Sequence, residues 1–165
     1  MIRYRLQPTS PHAHLFTISL HLPQTTPEGQ VLRMPAWIPG SYMIRDFARQ
    51  VVSFRAQGEQ GPVAVRKLDK DSWQLEPVSG PVEITIEVYA WDLSVRSAHL
   101  DNTHGYFNGT SVFLQPLGFE DQPLEVEILP PEGASMPLGC WPLACHGSVE
   151  ASGILVCFVP KTTTP

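Results

Sequence analysis

The residues best suited to contact a substrate lie in the segment Gly105-Tyr106-Phe107-Asn108-Gly109-Thr110-Ser111. It places two large aromatic rings beside small polar groups, a combination typical of the wall of a binding cleft. The Asn-Gly pair predicts a tight turn with positive φ, which would present Tyr106, Phe107, Thr110 and Ser111 at a loop tip. A hairpin with both rings packed inside the domain is an equally supported interpretation, because most loops bind nothing.

Arg96 ends the segment Tyr89-Ala90-Trp91-Asp92-Leu93-Ser94-Val95-Arg96 and is a further candidate for a cleft or a domain interface. Its guanidinium could hold the Tyr106 segment or face a neighbouring domain. Its spacing from Asp92 equally favours a simple ion pair.

Metal chemistry is suggested only weakly by the histidines. His12 and His14 flank one alanine, so on a strand both rings would face the same side, as in some zinc sites. No third ligand accompanies them, and we expect His14 to be a partly buried strand residue and His12 a surface residue. Cys145-His146 could be a nucleophile and base or, with Cys140, a metal site, but adjacent residues of a C-terminal tail do not supply the third group that orients a base.

The acidic residues favour structural roles. Several carboxylates stand beside basic residues and are better explained as turn caps and exposed ion pairs than as an acid/base dyad. They are Asp69, Asp71, Asp92 and Asp101, beside Lys67, Lys70, Arg96 and His99. We therefore predict no catalytic residue and no metal ligand in this chain.

A rigid run from Met34 to Ala48 must be positioned by the fold. Pro35 and Pro39 fix φ on either side of Trp37, which predicts that this ring is held inside the domain. Gly40 can adopt backbone conformations that other residues avoid, so the chain can turn there, and Ser41 is a natural N-cap. The helical spacing of Ile44, Phe47 and Ala48 predicts a short helix after Ser41, ending near Gln50.

Four segments in this order resemble the N-terminal domain of the glycyl-aminopeptidase family, zinc metallopeptidases that also carry a PDZ domain. The resemblance covers about Tyr4 to Pro131. The segments are residues 67–73, 89–96 and 105–111, and a motif formed by Trp37, Pro39, Gly40, Ser41, Tyr42 and Arg45.

The resemblance implies an N-terminal β domain that precedes a thermolysin-like catalytic domain with an HExxH zinc helix, followed by a PDZ domain. Such a parent enzyme would release N-terminal Gly or Ala from peptides by means of a zinc-bound water. The implied partners are that catalytic domain and peptide N-termini. No HExxH occurs in this sequence, so the resemblance assigns no zinc ligand, catalytic base or peptidase function to any of its residues.

The elements that would carry these motifs are strands. Alternating apolar and polar residues over 14–22, 81–89 and 124–128 predict strands with one buried face. Weaker strands are expected at 2–6, 31–34, 51–56, 63–67 and 73–75, separated by Pro- and Gly-rich turns. The predicted fold is all-β: an antiparallel β-sandwich or a twisted two-sheet domain.

Composition excludes several classes of partner. The net charge of -5 and the scattered basic residues argue against nucleic acid, and no stretch is long and apolar enough to span a membrane. The N-terminus has no apolar signal-peptide region, so we expect a cytoplasmic protein.

The C-terminal stretch departs from the family pattern after Met136. All three cysteines, Cys140, Cys145 and Cys157, lie there. A one-base shift of the reading frame from Leu138 onward permits two family-like segments, one of them Ala-Glu-Asp-Tyr-Asp. We therefore expect a native domain over residues 1–137 and an out-of-frame, non-native tail over residues 138–165 that truncates a longer enzyme.

Two functions remain open from the sequence. The first is a non-catalytic N-terminal domain of a zinc aminopeptidase, inactive alone. The second is a free-standing β-sandwich module that binds a peptide or a sugar through the surfaces at 37–47 and 106–111.

Overall fold

The computed structural model describes residues 1–38 and 40–131, and the backbone of residues 154–157. Strands dominate the described part, and its helical turns are three short 3-10 segments. The all-β prediction is confirmed. The strands are β1 Ile2–Ser10, β2 Leu15–Leu22, β3 Val31–Arg33, β4 Val51–Gly58, β5 Gly61–Pro62, β6 Val65–Lys67, β7 Ser72–Leu75, β8 Val82–Tyr89, β9 Ala98–Leu100, β10 Gly105–Asn108, β11 Gln115–Pro116, β12 Leu124–Ile128 and β13 Ile154–Cys157.

The largest sheet has six strands in the order β12-β1-β2-β8-β4-β5. The long central strands β2 and β8 pair antiparallel over their full lengths, with Ile18 opposite Ile86. Both bury every second residue, as the sequence alternation predicts. One pairing differs from the expected antiparallel arrangement: the edge strand β12 joins β1 in parallel, with Val126 opposite Tyr4.

Two smaller sheets complete the domain. One has the order β11-β3-β7-β6, and the other has the order β13-β10-β9. Their buried side chains share one hydrophobic cluster with the large sheet. Phe54 of β4 stacks on Trp73 of β7 at 5.2 Å between ring centroids, and Phe16 of β2 meets Phe107 of β10 edge-on at 5.9 Å. These aromatic pairs join the sheets across the core.

The predicted helix after Ser41 is only partly correct. The helical segment is a single 3-10 turn, Phe47–Gln50, which begins six residues after Ser41. Ser41 does not cap it; the preceding residue is Asp46, in a left-handed conformation with φ 47°. Phe47 is buried as the helical spacing predicts, whereas Ile44 is exposed.

The prediction that Trp37 is packed inside the domain is wrong, because this side chain is 49% exposed. Its indole Nε1 donates a hydrogen bond to Ser41 O at 2.6 Å, so the ring lies along its own loop. Pro39, the second rigid point of the motif, lies outside the described residues.

Most of the predicted tail, residues 138–153 and 158–165, also lies outside the described residues. Within it, the backbone of β13 pairs antiparallel with β10, with Leu155 opposite Phe107. No helix in the described part of the chain is long and apolar enough to cross a membrane.

Candidate functional site

Three of the sequence motifs meet on one side of the domain. Arg96 Nη2 donates to Gly40 O at 3.3 Å and so connects the segment 89–96 to the motif that begins at Trp37. Tyr106 Oη donates to Asp92 O at 3.1 Å, and this bond connects the segment 105–111 to the segment 89–96. Segments that are up to about 65 residues apart in sequence therefore form one surface, which we call the motif face.

The first part of the motif face is the loop 36–46, which we call the Trp37 loop. Its ends are fastened together because Ala36 O accepts hydrogen bonds from the backbone N–H groups of Arg45 at 2.7 Å and Asp46 at 3.3 Å. Inside the loop, Ser41 is buried and its Oγ accepts from Met43 N at 3.3 Å. This arrangement is a compact closed loop, and it uses the amides that a helix from Ser41 would have needed.

The tip of the Trp37 loop is apolar and points to solvent. Tyr42, Met43 and Ile44 are all exposed, although three consecutive large apolar side chains normally seek burial. Around them the loop is fixed by polar contacts, including an ion pair between Lys70 Nζ and Asp46 Oδ1 at 2.8 Å. The hydrogen bond and charge of Asp46 raise the pKa of Lys70 above its usual value.

The second part of the motif face is the segment 91–97, which we call the Arg96 loop. Asp92 Oδ1 accepts a hydrogen bond from Ser94 N at 2.8 Å, and Ser97 N donates to Ser94 O. Asp92 thus caps a turn, and it forms no ion pair with Arg96 in the described part of the chain. Leu93 and Val95 on this loop are exposed, next to the Trp37 loop that Arg96 contacts.

The third part, Gly105–Ser111, differs from the loop that the Asn-Gly pair predicts. Asn108 has φ -95° and begins a 3-10 turn, Gly109–Ser111, in which its Oδ1 accepts from Thr110 N at 3.2 Å and Thr110 Oγ1 at 2.7 Å. Ser111 Oγ donates to Asn108 O at 2.7 Å. The positive-φ turn is therefore absent at this described position, and these polar groups satisfy one another inside the protein.

The two aromatic rings of this segment have different environments. Phe107 is buried between Phe16 and Phe113, whereas Tyr106 is half-buried at the motif face. Burial, and secondarily the charge of Asp92, raises the pKa of Tyr106, so this hydroxyl is a neutral donor near neutral pH. Of the predicted cleft or interface candidates, Tyr106 and Arg96 reach the surface, and Phe107, Asn108, Thr110 and Ser111 are buried.

Gly109 and Thr110 also line a separate cavity of about 220 Å³. Its wall is mostly apolar and includes Tyr4, Phe113 and Val126. Burial raises the pKa of Tyr4 strongly, and its Oη donates to Leu114 O at 2.8 Å. The hydroxyl of Tyr4, one of the residues that line this cavity, therefore already has a hydrogen-bond partner.

Comparisons with known proteins agree with these motifs. The family model of the peptidase M61 N-terminal domain matches residues 3–153 of this chain. The chain belongs to the peptidase M61 N-terminal domain family. A crystal structure of an aminopeptidase N family protein from Idiomarina loihiensis is 43% identical, with a TM-score of 0.78. The match covers 80% of this chain and 22% of that one, and no curated protein matches in sequence.

This M61 N-terminal domain does not bring His12 and His14 together as a zinc pair. His12 lies in the 3-10 turn Pro11–Ala13, and His14 follows it in a left-handed conformation with φ 59°. His14 Nδ1 lies 2.7 Å from Leu100 O, and His12 Nδ1 lies 2.9 Å from Asn102 Nδ2. Each ring has its own partner. His14 is partly buried as predicted, but it caps the 3-10 turn and does not lie on a strand, because β2 begins at Leu15.

Sequence reasoning missed one cluster in the M61 N-terminal domain, formed by His99, Asp101 and His104. Their potential ligand atoms all lie within 4.8 Å of one another. Asp101 is a turn cap, as predicted, because its Oδ1 accepts from the backbone N–H groups of Thr103 at 2.7 Å and His104 at 2.9 Å. The signal that could have revealed the cluster is the H-x-D-x-x-H spacing across one tight turn.

Proposed function

We propose that this chain acts as the non-catalytic N-terminal domain of an M61-type zinc aminopeptidase and that the motif face packs against the catalytic domain. In this proposal the parent enzyme releases N-terminal Gly or Ala from peptides, and the zinc and the base are supplied by the catalytic domain. The chain alone would then be inactive.

The observation that carries the proposal is the exposed apolar surface of the motif face. Tyr42, Met43 and Ile44 lie at the tip of the Trp37 loop, and Leu93 and Val95 lie on the adjoining Arg96 loop. Apolar clusters of this kind on a soluble domain usually mark an interaction site, because leaving them in water costs free energy.

The rigidity of the two loops supports a docking role. The Trp37 loop is closed by the Ala36 bonds, and the Arg96 guanidinium fastens it to the Arg96 loop. A fixed apolar surface loses little conformational entropy when it binds, so it suits a permanent contact between domains.

The choice of occupant comes from the comparison of lengths. The match to the aminopeptidase N family protein takes up 22% of that chain, so a protein of that kind has much further polypeptide beside the matched domain. A catalytic domain with an apolar patch would cover the motif face, and the six-stranded sheet would stay outside the contact.

An interaction assay tests the docking proposal. The probe is the part of the Idiomarina protein outside its match to this chain, produced separately and titrated with the full chain by calorimetry. We expect a one-to-one complex, and we expect Met43→Asp to weaken it at least tenfold because a charge would be buried in an apolar contact.

The matched control is Val52→Asp, which places the same charge on an exposed apolar residue of β4, outside both loops. Its affinity should equal that of the wild type. Absence of any complex, or equal weakening by both variants, would refute the docking proposal. Zinc-dependent cleavage of glycyl or alanyl chromogenic substrates by the purified chain alone would refute the non-catalytic role.

A free-standing binding module is the second candidate function, and the apolar cavity beside Gly109 and Thr110 favours it. This candidate predicts saturable binding of a peptide or an oligosaccharide by the chain alone. The same calorimetry with such ligands, and without the Idiomarina fragment, separates the two functions.

A further inference from the structure

The cluster of His99, Asp101 and His104 combines nitrogen and oxygen donors at metal-binding separations. His99 Nε2 lies 3.2 Å from Asp101 Oδ2, and His104 Nδ1 lies 3.3 Å from Asp101 Oδ1. Zinc bonds to imidazole nitrogen and carboxylate oxygen are about 2.0–2.2 Å, so neighbouring ligand atoms of a tetrahedral site are about 3.3–3.5 Å apart. The separation between His99 Nε2 and Asp101 Oδ2 is close to that value, and the potential ligand atoms of all three residues lie within 4.8 Å of one another.

The carboxylate of this cluster is held in place before any ligand binds. The Thr103 side chain donates to Asp101 Oδ1 at 2.7 Å, in addition to the two backbone N–H groups of the turn. Oδ2 remains directed at His99.

The His99 ring is fixed by aromatic neighbours. The side chain is almost fully buried, and its ring centroid lies 4.8 Å from that of Trp91 and 5.9 Å from that of Tyr106. The His104 ring is partly exposed, with its centroid 5.1 Å from that of His99 and an angle of 34° between the two ring planes. One ligand is therefore rigid. The other is partly exposed, and its Nδ1 lies 2.9 Å from Thr103 Oγ1, a contact that metal binding would replace.

The charge of the cluster also favours a cation. With neutral imidazoles, the only formal charge of the three side chains is the Asp101 carboxylate, and no Lys or Arg forms a salt bridge with it in residues 1–38 and 40–131. We propose that His99 Nε2, Asp101 Oδ2 and His104 Nδ1 form a binding site for one divalent transition-metal ion such as Zn²⁺. A water molecule completes the coordination from the exposed side.

The protonation of His99 limits how tightly this site binds. When Nε2 binds a metal, the ring proton lies on Nδ1, which is buried and has no hydrogen-bond partner among the described residues. A metal-bound histidine normally donates a hydrogen bond from this N–H to a second group, and the lack of such an acceptor for His99 weakens the site. We therefore expect micromolar affinity rather than the much tighter binding of a fully supported structural zinc site.

The competing interpretation is that the three residues form only a hydrogen-bonded turn. In that case His99 Nε2–H donates to Asp101 Oδ2, and the same geometry results without a metal. The two interpretations differ in whether added metal is bound with defined stoichiometry.

The test is titration of the full chain with zinc chloride by calorimetry, repeated with cobalt(II) and read by visible absorption. Cys140, Cys145 and Cys157 are replaced by Ser in every sample, because thiolates bind both ions. We expect one ion per chain and the intense visible bands of tetrahedral cobalt.

Two variants locate the site. His104→Gln removes a partly exposed ligand, and Asp101→Asn keeps the oxygen that caps the turn but removes the negative charge. Each should weaken binding at least tenfold without loss of the folded circular-dichroism spectrum. His21→Gln on β2 is the matched control and should bind as the parent chain does.

The proposal is overturned if the serine background binds no zinc up to millimolar concentration, or if His104→Gln and Asp101→Asn bind as the parent chain does. Equal weakening by His21→Gln would also overturn it. This site does not depend on the proposed function, because the calorimetry needs no catalytic domain.

Discussion

Replacing the tryptophans Trp73 and Trp37 by alanine provides a direct test of how the core is built. Trp73 is 5% exposed and stacks on Phe54, whereas Trp37 is 49% exposed on its loop. The same substitution at the two positions should therefore have very different effects on the free energy of unfolding.

The magnitude for Trp73 follows from its buried area. An aromatic side chain removes about 150–250 Å² from water, which corresponds to about 4–6 kcal/mol at about 25 cal/mol per Å². Alanine keeps part of this contact, and truncation of a buried Phe or Trp typically costs about 3–5 kcal/mol. The stack on Phe54 places Trp73→Ala in the upper half of that range. The Lys67 Nζ, 5.0 Å from the ring centroid, adds little because it is exposed.

The magnitude for Trp37 is smaller for two reasons. About half of its side chain is already in water, which halves the area term to about 2–3 kcal/mol. The loop can also relax after truncation, although the hydrogen bond to Ser41 O is lost. We therefore expect Trp37→Ala to cost about 1–2 kcal/mol.

The assay is urea denaturation of the full chain followed by far-ultraviolet circular dichroism, which does not depend on the tryptophan that is removed. Equal m-values would show that the variants unfold the same surface. The reasoning is refuted if Trp73→Ala costs less than about 1 kcal/mol, or if the two variants lose equal stability.

Two further predictions concern a glycine and a buried tyrosine. Gly29 has φ +94° and a Cβ there would lie 2.3 Å from Leu75 O, so Gly29→Ala should cost about 3 kcal/mol or more in urea melts. Gly118→Ala, at φ +86° with open space around it, should cost only about 1 kcal/mol, and equal losses would contradict the steric argument. Tyr4→Phe leaves the buried Leu114 O without its donor and should cost about 1–2 kcal/mol at pH 7. Burial raises the folded-state pKa of Tyr4, so its contribution to the free energy of unfolding is full below about pH 10 and declines as the pH rises further. The stability difference between the parent chain and Tyr4→Phe should therefore shrink in melts at about pH 11. A difference that does not change with pH would show that Tyr4 ionises equally in the folded and unfolded states.

Local periodicity was sufficient to predict the strands of the large sheet. Residues 15–22 and 82–89 alternate in burial as they alternate in sequence, because successive side chains of a strand point to opposite faces. The weaker strands were also predicted, with ends shifted by a few residues. Trp73 lies on one of these weaker strands, β7, and is buried.

Predictions from local sequence were wrong where groups distant in sequence took the hydrogen bonds of the same backbone segment. The spacing of Ile44, Phe47 and Ala48 is helical, but Ala36 O takes the amides of Arg45 and Asp46 and closes a loop in place of a helix. The Asn-Gly pair at 108–109 favours a positive-φ turn in isolation. In the domain the Asn108 side chain caps a 3-10 turn instead, and Phe107 is drawn into the core.

Motif order and strand alternation are local properties of the chain, so they were enough to predict the family and the all-β class. Which motifs touch became visible only in the folded domain, through contacts such as Arg96 to Gly40 across more than fifty residues. The same is true of the half-exposed Trp37 and of the ligand atoms of His99, Asp101 and His104, which lie within 4.8 Å of one another. Burial and side-chain convergence depend on how the sheets pack, and that packing is set by the whole core and not by any single segment.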